Sequence, residues 1–305
     1  MPELYPLTLP HRVTLSCRAS GQKGRPVIVF LHGFPEGAFV WDGLLAHFAG
    51  LGYRCVAPNL RGFEASSAPV EVGQYRAKYL VQDIAALIAI ESPGAPLAAL
   101  VAHDWGGAVA WNLANQMPQL MRKLCIVNSP HPGTFLRELR DCPAQQAASA
   151  YMNFLVRPDA EKLLAEDDYR RLWEFFAHTL GGSSNGKGGY AWLTDEVKAQ
   201  YRSVWDHGLT GGCNYYRASP LRPATAADAD AGTGVGAITL AREMLTVTIP
   251  TQVIWGMDDI ALPPALIDGL GSYVPHLQVH RVPGATHWIV HEQPALVAQL
   301  IASFI

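Results

Sequence analysis

Residues 101–111 read VAHDWGGAVAW. A β-rich run, LAALVAHD (97–104), ends on an acid, and a helical pattern, GGAVAWNLANQMPQL (106–120), begins two residues later. Ala102 and Gly106 flank Asp104 in a small-x-Asp-x-small arrangement. Small residues there let a sharp strand-to-helix turn close without a Cβ clash, and the turn lifts the central side chain above the sheet. A plainer role is also open to Asp104, that of capping the helix behind it. Which reading holds depends on what the rest of the chain supplies.

Outward from that turn, strand-like runs alternate with helix-length segments. The runs are VTLSC (13–17), VIVFLHG (27–33), YRCVAPN (53–59), LCIVNSP (124–130), TQVIWGMDD (251–259) and LQVHRVPG (277–284). Between them lie WDGLLAHFAGLG (41–52), YRAKYLVQDIAALIAIES (75–92), PPALIDGLGSYV (263–274) and EQPALVAQLIASFI (292–305). Continuous apolar strands suit burial on both faces, as in a parallel sheet, and the alternation with helices predicts a doubly wound α/β core. Over 134–220 the alternation stops and the sequence turns helical, aromatic and charged. That stretch is expected to be a helical lid inserted into a core made of 1–133 and 221–305. Within it GGSSNGKGG (181–189) reads as a mobile loop, and PATAADADAGTGVGA (223–237) as a loose connection back to the core. Gly182-Ser183-Ser184-Asn185-Gly186 matches G-x-S-x-G, but no strand precedes it, so the match is set aside.

Composition narrows the functional classes. With 305 residues, 49% hydrophobic and 16% charged, the chain buries a large core. A net charge of −3 and a pI near 6.4 give no reason to expect nucleic acid or an anionic membrane as partner. No apolar stretch is long enough to span a bilayer, and MPELYPLTLPHRVTL lacks the regions of a secretion signal. Five scattered cysteines without a CxxC pair predict reduced thiols and a cytoplasmic protein. No metal-ligand spacing and no phosphate-binding glycine loop is present, so no cofactor is expected. The oligomeric state is left open, a homodimer being compatible with the sequence.

Two further motifs bear on Asp104. HGFPE (32–36) ends an early strand, and its Gly-x-Pro turn can aim the Phe34 N–H at the site; a cis bond at Pro35 is expected. With the N–H of Trp105 this would form an oxyanion hole. His32 is expected to brace that loop. The order nucleophile, acid, histidine is then completed downstream. WGMDDIAL (255–262) offers Asp258 or Asp259, with the spacing favouring Asp259, and GATHWIVHE (284–292) offers His287 in the loop after the last strand. His291 falls at the following helix and is read as structural.

Taken together, HGFP, HDWGG, WGMDD and GATHW resemble the α/β-hydrolase superfamily, in particular the aspartate-nucleophile branch of epoxide hydrolases and dehalogenases, and most of all the soluble epoxide hydrolases. The resemblance spans nearly the whole chain. It implies an Asp104-His287-Asp259 triad acting on a small apolar substrate and water. A carboxylate is already ionised at neutral pH and displaces a leaving group from a saturated carbon, giving an ester that water then cleaves. The resemblance further implies two lid tyrosines as donors to an epoxide oxygen. NYYRASP (214–220) matches the second lid motif and points to Tyr216; AYMNFLVRPDAE (150–161) points to Tyr151, where a one-residue gap would select a neighbour. Phe34, Trp105, Tyr215 and Trp288 are expected to line the pocket. Haloalkane dehalogenases hold halide with Trp105-type and amide N–H donors, but Phe34 occupies the amide position. Fluoroacetate dehalogenases carry arginines where Trp105 and Ala108 stand, and a histidine-tryptophan pair where Tyr151 and Met152 stand. A dehalogenase is the alternative reading, and a non-catalytic binding protein on the same scaffold is a third.

Overall fold

A computed structural model describes residues 1–178, 191–225, 228 and 234–305, with only the backbone described at 177 and 178. The segment 181–189, the 182–186 match and part of the 223–237 connection lie outside the described residues.

Eight strands form one sheet in the order β1-β2-β4-β3-β5-β6-β7-β8. They are β1 (Glu3–Thr8), β2 (Thr14–Ser20), β3 (Val27–Leu31), β4 (Arg54–Pro58), β5 (Ala99–His103), β6 (Leu124–Val127), β7 (Thr251–Gly256) and β8 (Leu277–Val282). β1–β2 and β2–β4 pair antiparallel, and every other pair is parallel. The expected strands are all present. β1 was not expected: its ELYPLT sequence carries Pro6, which an edge strand tolerates.

The five strands β3 to β7 are buried along their whole length. Side chains alternate between two cores because successive residues of a strand face opposite sides of a sheet. Val27, Val29 and Leu31 join one core; Ile28 and Phe30 join the other. Helix α1 (Asp42–Gly50) and the C-terminal helix Pro294–Phe304 cover the second core through Leu44, Leu45, Phe48, Val297 and Ile301. α2 (Ala77–Glu91) and α3 (Asp104–Gln116) cover the first. The helix expected over 263–274 is two 3-10 turns, Pro264–Ile267 and Leu270–Ser272. Pro263 and Pro264 withhold backbone donors at its start, and Gly269 takes φ +74 between the turns.

Between β6 and β7 the described residues form helices and no strand: α4 (Pro132–Asp141), α5 (Pro143–Ala148), α6 (Tyr151–Leu155), α7 (Ala160–His178), α8 (Asp195–Trp205) and α9 (Thr210–Ala218). The first of them starts at Pro132, just ahead of residue 134. This insertion sits on the carboxyl ends of the parallel strands, where open α/β sheets place their sites. Trp205 Nε1 donates to the Pro35 carbonyl at 2.7 Å and Tyr215 Oη to the Arg61 carbonyl at 3.0 Å, tying α8 and α9 to core loops.

Candidate active site

Four loops at the carboxyl ends of β3, β5, β7 and β8 converge. At the end of β5, Asp104 takes φ +47, a left-handed backbone that a non-glycine residue adopts at a cost of order 1–3 kcal/mol. The turn is held by close packing. A Cβ on Gly106 would lie 2.5 Å from the Leu31 carbonyl oxygen, and one on Gly33 would lie 2.3 Å from the Asp104 Cβ. Asp104 is thus not a conventional cap: the residue at the cap position is His103, whose side chain makes no cap bond.

The HGFPE loop brings the Phe34 N–H to 2.8 Å from Asp104 Oδ1, with a cis Phe34–Pro35 bond. Trp105 begins the helix, where backbone N–H groups have no intrahelical acceptor. His32 spans the loop as expected: Nδ1 lies 2.8 Å from the Gly33 carbonyl and Nε2 accepts from Leu60 N at 3.0 Å. Burial pushes its pKa down to about 4, so the ring is neutral.

His287 Nδ1 lies 2.7 Å from Asp259 Oδ2, and its Nε2 lies 3.8 Å from Asp104 Oδ2. Of the two acids, Asp258 is exposed, whereas Asp259, 3% exposed, is the one that meets His287. Asp259 Oδ1 accepts from Ala261 N and Leu262 N at 3.0 and 2.8 Å, and Oδ2 also accepts from Asn128 Nδ2 at 2.7 Å. Burial alone would lower the His287 pKa. The carboxylates of Asp259, Asp104 and Glu36 outweigh it and raise the pKa to about 9.

A second buried cluster stands behind this trio, and the sequence reading gave it no role. Glu36 Oε2 accepts from His103 Nδ1 at 2.9 Å, and Oε1 accepts from His291 Nε2 at 2.7 Å and Tyr201 Oη at 3.1 Å. Burial alone would raise the Glu36 carboxyl, but its histidine partners hold it well below the usual range. His103 Nε2 faces the His287 carbonyl at 3.0 Å. His103 thus bridges the Glu36 carboxylate and the backbone of His287. Glu36 and His103 stood inside the quoted HGFPE and HDW motifs; Asn128 ended a quoted strand run. None carried a sequence signal that separated it from its neighbours.

Asp104 opens into a cavity of about 300 Å³. Trp105, Tyr151, Tyr215 and Tyr216 line it, with apolar side chains such as Val109, Phe135, Met152 and Leu240. Trp288 was expected there and does not line it: fully buried, it packs on Phe176 at 4.5 Å and against His287. Phe34 gives its N–H to the site while its ring packs behind the wall, edge-on to Tyr216 at 5.4 Å. Tyr75 and Tyr215 spend their hydroxyls on the carbonyls of Pro69 and Arg61. Those of Tyr151 and Tyr216 reach no backbone carbonyl among the described residues, and their rings stand 6.2 Å apart. Burial, followed for Tyr151 by the Asp104 charge and for Tyr216 by Tyr151 and Asp104, raises both phenols well above 10.

A family described as alpha/beta hydrolase fold matches residues 26–294. The chain belongs to this α/β-hydrolase family. Among the relatives of this α/β hydrolase, the AB hydrolase superfamily protein YfhM of Bacillus subtilis is 34% identical over 96% of the chain and 94% of its own length. Human epoxide hydrolase 4 is 30% identical over 94% of the chain and 74% of its length. Among solved structures, a Bacillus megaterium epoxide hydrolase in complex with an inhibitor superposes with a TM-score of 0.83 at 30% identity, covering 98% of this chain and 99% of its own. One of the novel epoxide hydrolases from metagenomes of hot environments gives 0.84 at 32% identity, over 99% and 98%. Among the described residues no helix is long and apolar enough to cross a membrane, and no group of three His, Cys, Asp or Glu side chains could hold a metal ion.

Proposed function

We infer that this α/β hydrolase opens epoxides to vicinal diols through an ester on Asp104. The observation that carries the reading is the pairing, across one apolar cavity, of the Asp104 carboxylate with the Tyr151 and Tyr216 hydroxyls. The names of the relatives and structural neighbours support it. Among the described residues no arginine or lysine lines the cavity, and Ala108 and Met152 stand in its wall, which disfavours halo-acid substrates.

In the first step Asp104 Oδ1 stays with the Phe34 N–H, and Oδ2 attacks an oxirane carbon. The carbon–oxygen bond of the ring breaks, and the emerging alkoxide takes a proton from a lid tyrosine. Raised phenol pKa values keep both tyrosines protonated and able to donate until then. In the second step His287 removes a proton from water, and the hydroxide adds to Cγ of Asp104. The resulting oxyanion is held by the Phe34 and Trp105 N–H groups, each worth about 3–4 kcal/mol. Collapse releases the alkoxide oxygen, which takes the proton from His287; Asp104, left as a carboxylic acid, passes its proton to the phenolate, and His287 regains its resting proton from solvent.

Timing follows from charge. In the resting enzyme His287 is cationic at neutral pH, because Asp104 and Asp259 both favour the imidazolium. Esterification neutralises Asp104 and removes one of those supports, so the ring releases its proton to solvent and becomes a base when water must be activated. The helices between β6 and β7 act as the lid that supplies the tyrosines, and Asp259 orients the His287 ring.

One turnover in heavy-oxygen water tests the mechanism. The label is expected in the Asp104 carboxylate first and in diol only in later cycles. Solvent oxygen in the first diol with an unlabelled Asp104 rejects the ester. Halide release from bromoalkanes without diol from epoxides rejects the substrate.

A further inference from the structure

The cavity follows helix α3. Asp104, Trp105, Ala108, Val109 and Asn112 all line it, which is one face of a helix read at i, i+4 and i+8. Eight helical residues rise about 12 Å, so the wall runs that far from the reactive carboxylate to Asn112. Most other polar groups on the wall are committed. Ser129 Oγ donates to the Asp104 carbonyl at 2.6 Å, Ser219 Oγ accepts from Leu221 N at 3.2 Å, and Tyr75 and Tyr215 hold carbonyls.

Asn112 is different. Its Nδ2 donates to the Ala108 carbonyl one turn back at 2.8 Å. Only the amino group can face a carbonyl, so that bond also fixes which side of the amide is oxygen. Among the described residues Oδ1 has no hydrogen-bond partner, and the chemistry at Asp104 makes no use of it. An amide acceptor in an apolar wall costs desolvation when an apolar ligand covers it.

We propose that Asn112 is a specificity-determining residue whose Oδ1 accepts a hydrogen bond from a neutral hydroxyl on the substrate, about 10 Å from the oxirane. The preferred substrates are then uncharged epoxides with an extended apolar body and a remote hydroxyl. A terminal carboxylate is disfavoured at that place, because an acceptor faces it and no cation among the described residues lines the cavity. This inference rests on the epoxide reading for its substrate, but not for its binding contact.

The test compares 1,2-epoxydecane with its ω-hydroxy analogue, and decane-1,2-diol with the corresponding ω-hydroxy triol. The native enzyme is expected to favour the hydroxylated epoxide about three- to tenfold in kcat/KM, the range of one hydrogen bond. Asn112→Leu and Asn112→Ala should abolish or reverse that preference. Equal kcat/KM for both epoxides in the native enzyme, or a preference that survives both variants, overturns the role of Asn112. If neither epoxide gives diol, the reaction assigned above falls instead, and binding decides the contact. Tighter binding of the triol that is lost in both variants, read by fluorescence of Trp105, upholds it. Indistinguishable binding of diol and triol overturns it.

Discussion

Asp104 and His287 stand close enough for each to set the other's charge. With Nε2 at 3.8 Å from Oδ2, the carboxylate is one of the groups holding His287 at about 9. Asp104→Asn removes that negative charge and nearly nothing of the side chain's volume. The His287 pKa is expected to fall toward its ordinary value, and an NMR titration of the ring protons reads it directly. An unchanged value would mean that Asp259 alone fixes the imidazolium, and that esterification cannot release the base. In the proposed mechanism the tyrosines act one step earlier. Tyr151→Phe or Tyr216→Phe should each slow ester formation about 10- to 100-fold, since proton donation in a transition state commonly contributes 10²–10⁴ and two donors share it. Stopped-flow quenching of Trp105 separates this step from ester hydrolysis, which should keep its native rate. A variant that slows both steps alike would show that the hydroxyl serves packing.

At the scale of the element, helix α9 shows how tightly the insertion is fitted to the core. A Cβ on Gly211 would lie 2.2 Å from the Gly62 carbonyl oxygen, so backbone meets backbone there. Gly211→Ala must push the start of α9 outward and carry Tyr215 and Tyr216 with it. The expected cost is about 1–3 kcal/mol of stability, typical of overpacking, together with a raised KM. Gly271→Ala, where nothing lies within 4 Å of the added methyl, is the matched control and should change neither. Urea unfolding and steady-state kinetics on the two variants check this. The same fit explains what was legible in advance. Seven strands announced themselves because β3 to β7 and their neighbours are apolar runs, and the turn at Asp104 because its steric need for small residues is local. The edge strand β1 and the failed helix at 263–274 are decided by prolines and by a neighbouring sheet edge, which no local period reports. The spacing already favoured Asp259 over Asp258, and burial agrees with it, whereas the Glu36–His103 pair emerges only from strands that meet in space.

For the whole molecule, the buried histidine couples the site to stability. The His287 pKa is about 9 in the folded chain and near 6.5 when unfolded, so the native state binds its proton more tightly. That contribution is complete below pH 6.5, declines as pH rises, and is gone above about 9. A displacement of this size corresponds to about 3 kcal/mol. Glu36 works in the opposite window. Its carboxyl is held below the ordinary value of 4.5, so its contribution is present above that pH and is lost as acid protonates it. Both contributions are fully present only between about pH 4.5 and 6.5. His287→Gln isolates the upper limb, since Gln does not titrate. The unfolding free energy of native enzyme minus variant, measured in urea at pH 6 and again at pH 10, should shrink by about 3 kcal/mol. Other groups that titrate in alkali, the buried cysteines among them, are common to both proteins and cancel in the difference. A difference that stays constant from pH 6 to 10 would mean that folding leaves the proton affinity of His287 unchanged. The resting imidazolium, and with it the charge-timed release of the base after Asp104 is esterified, would then have no foundation.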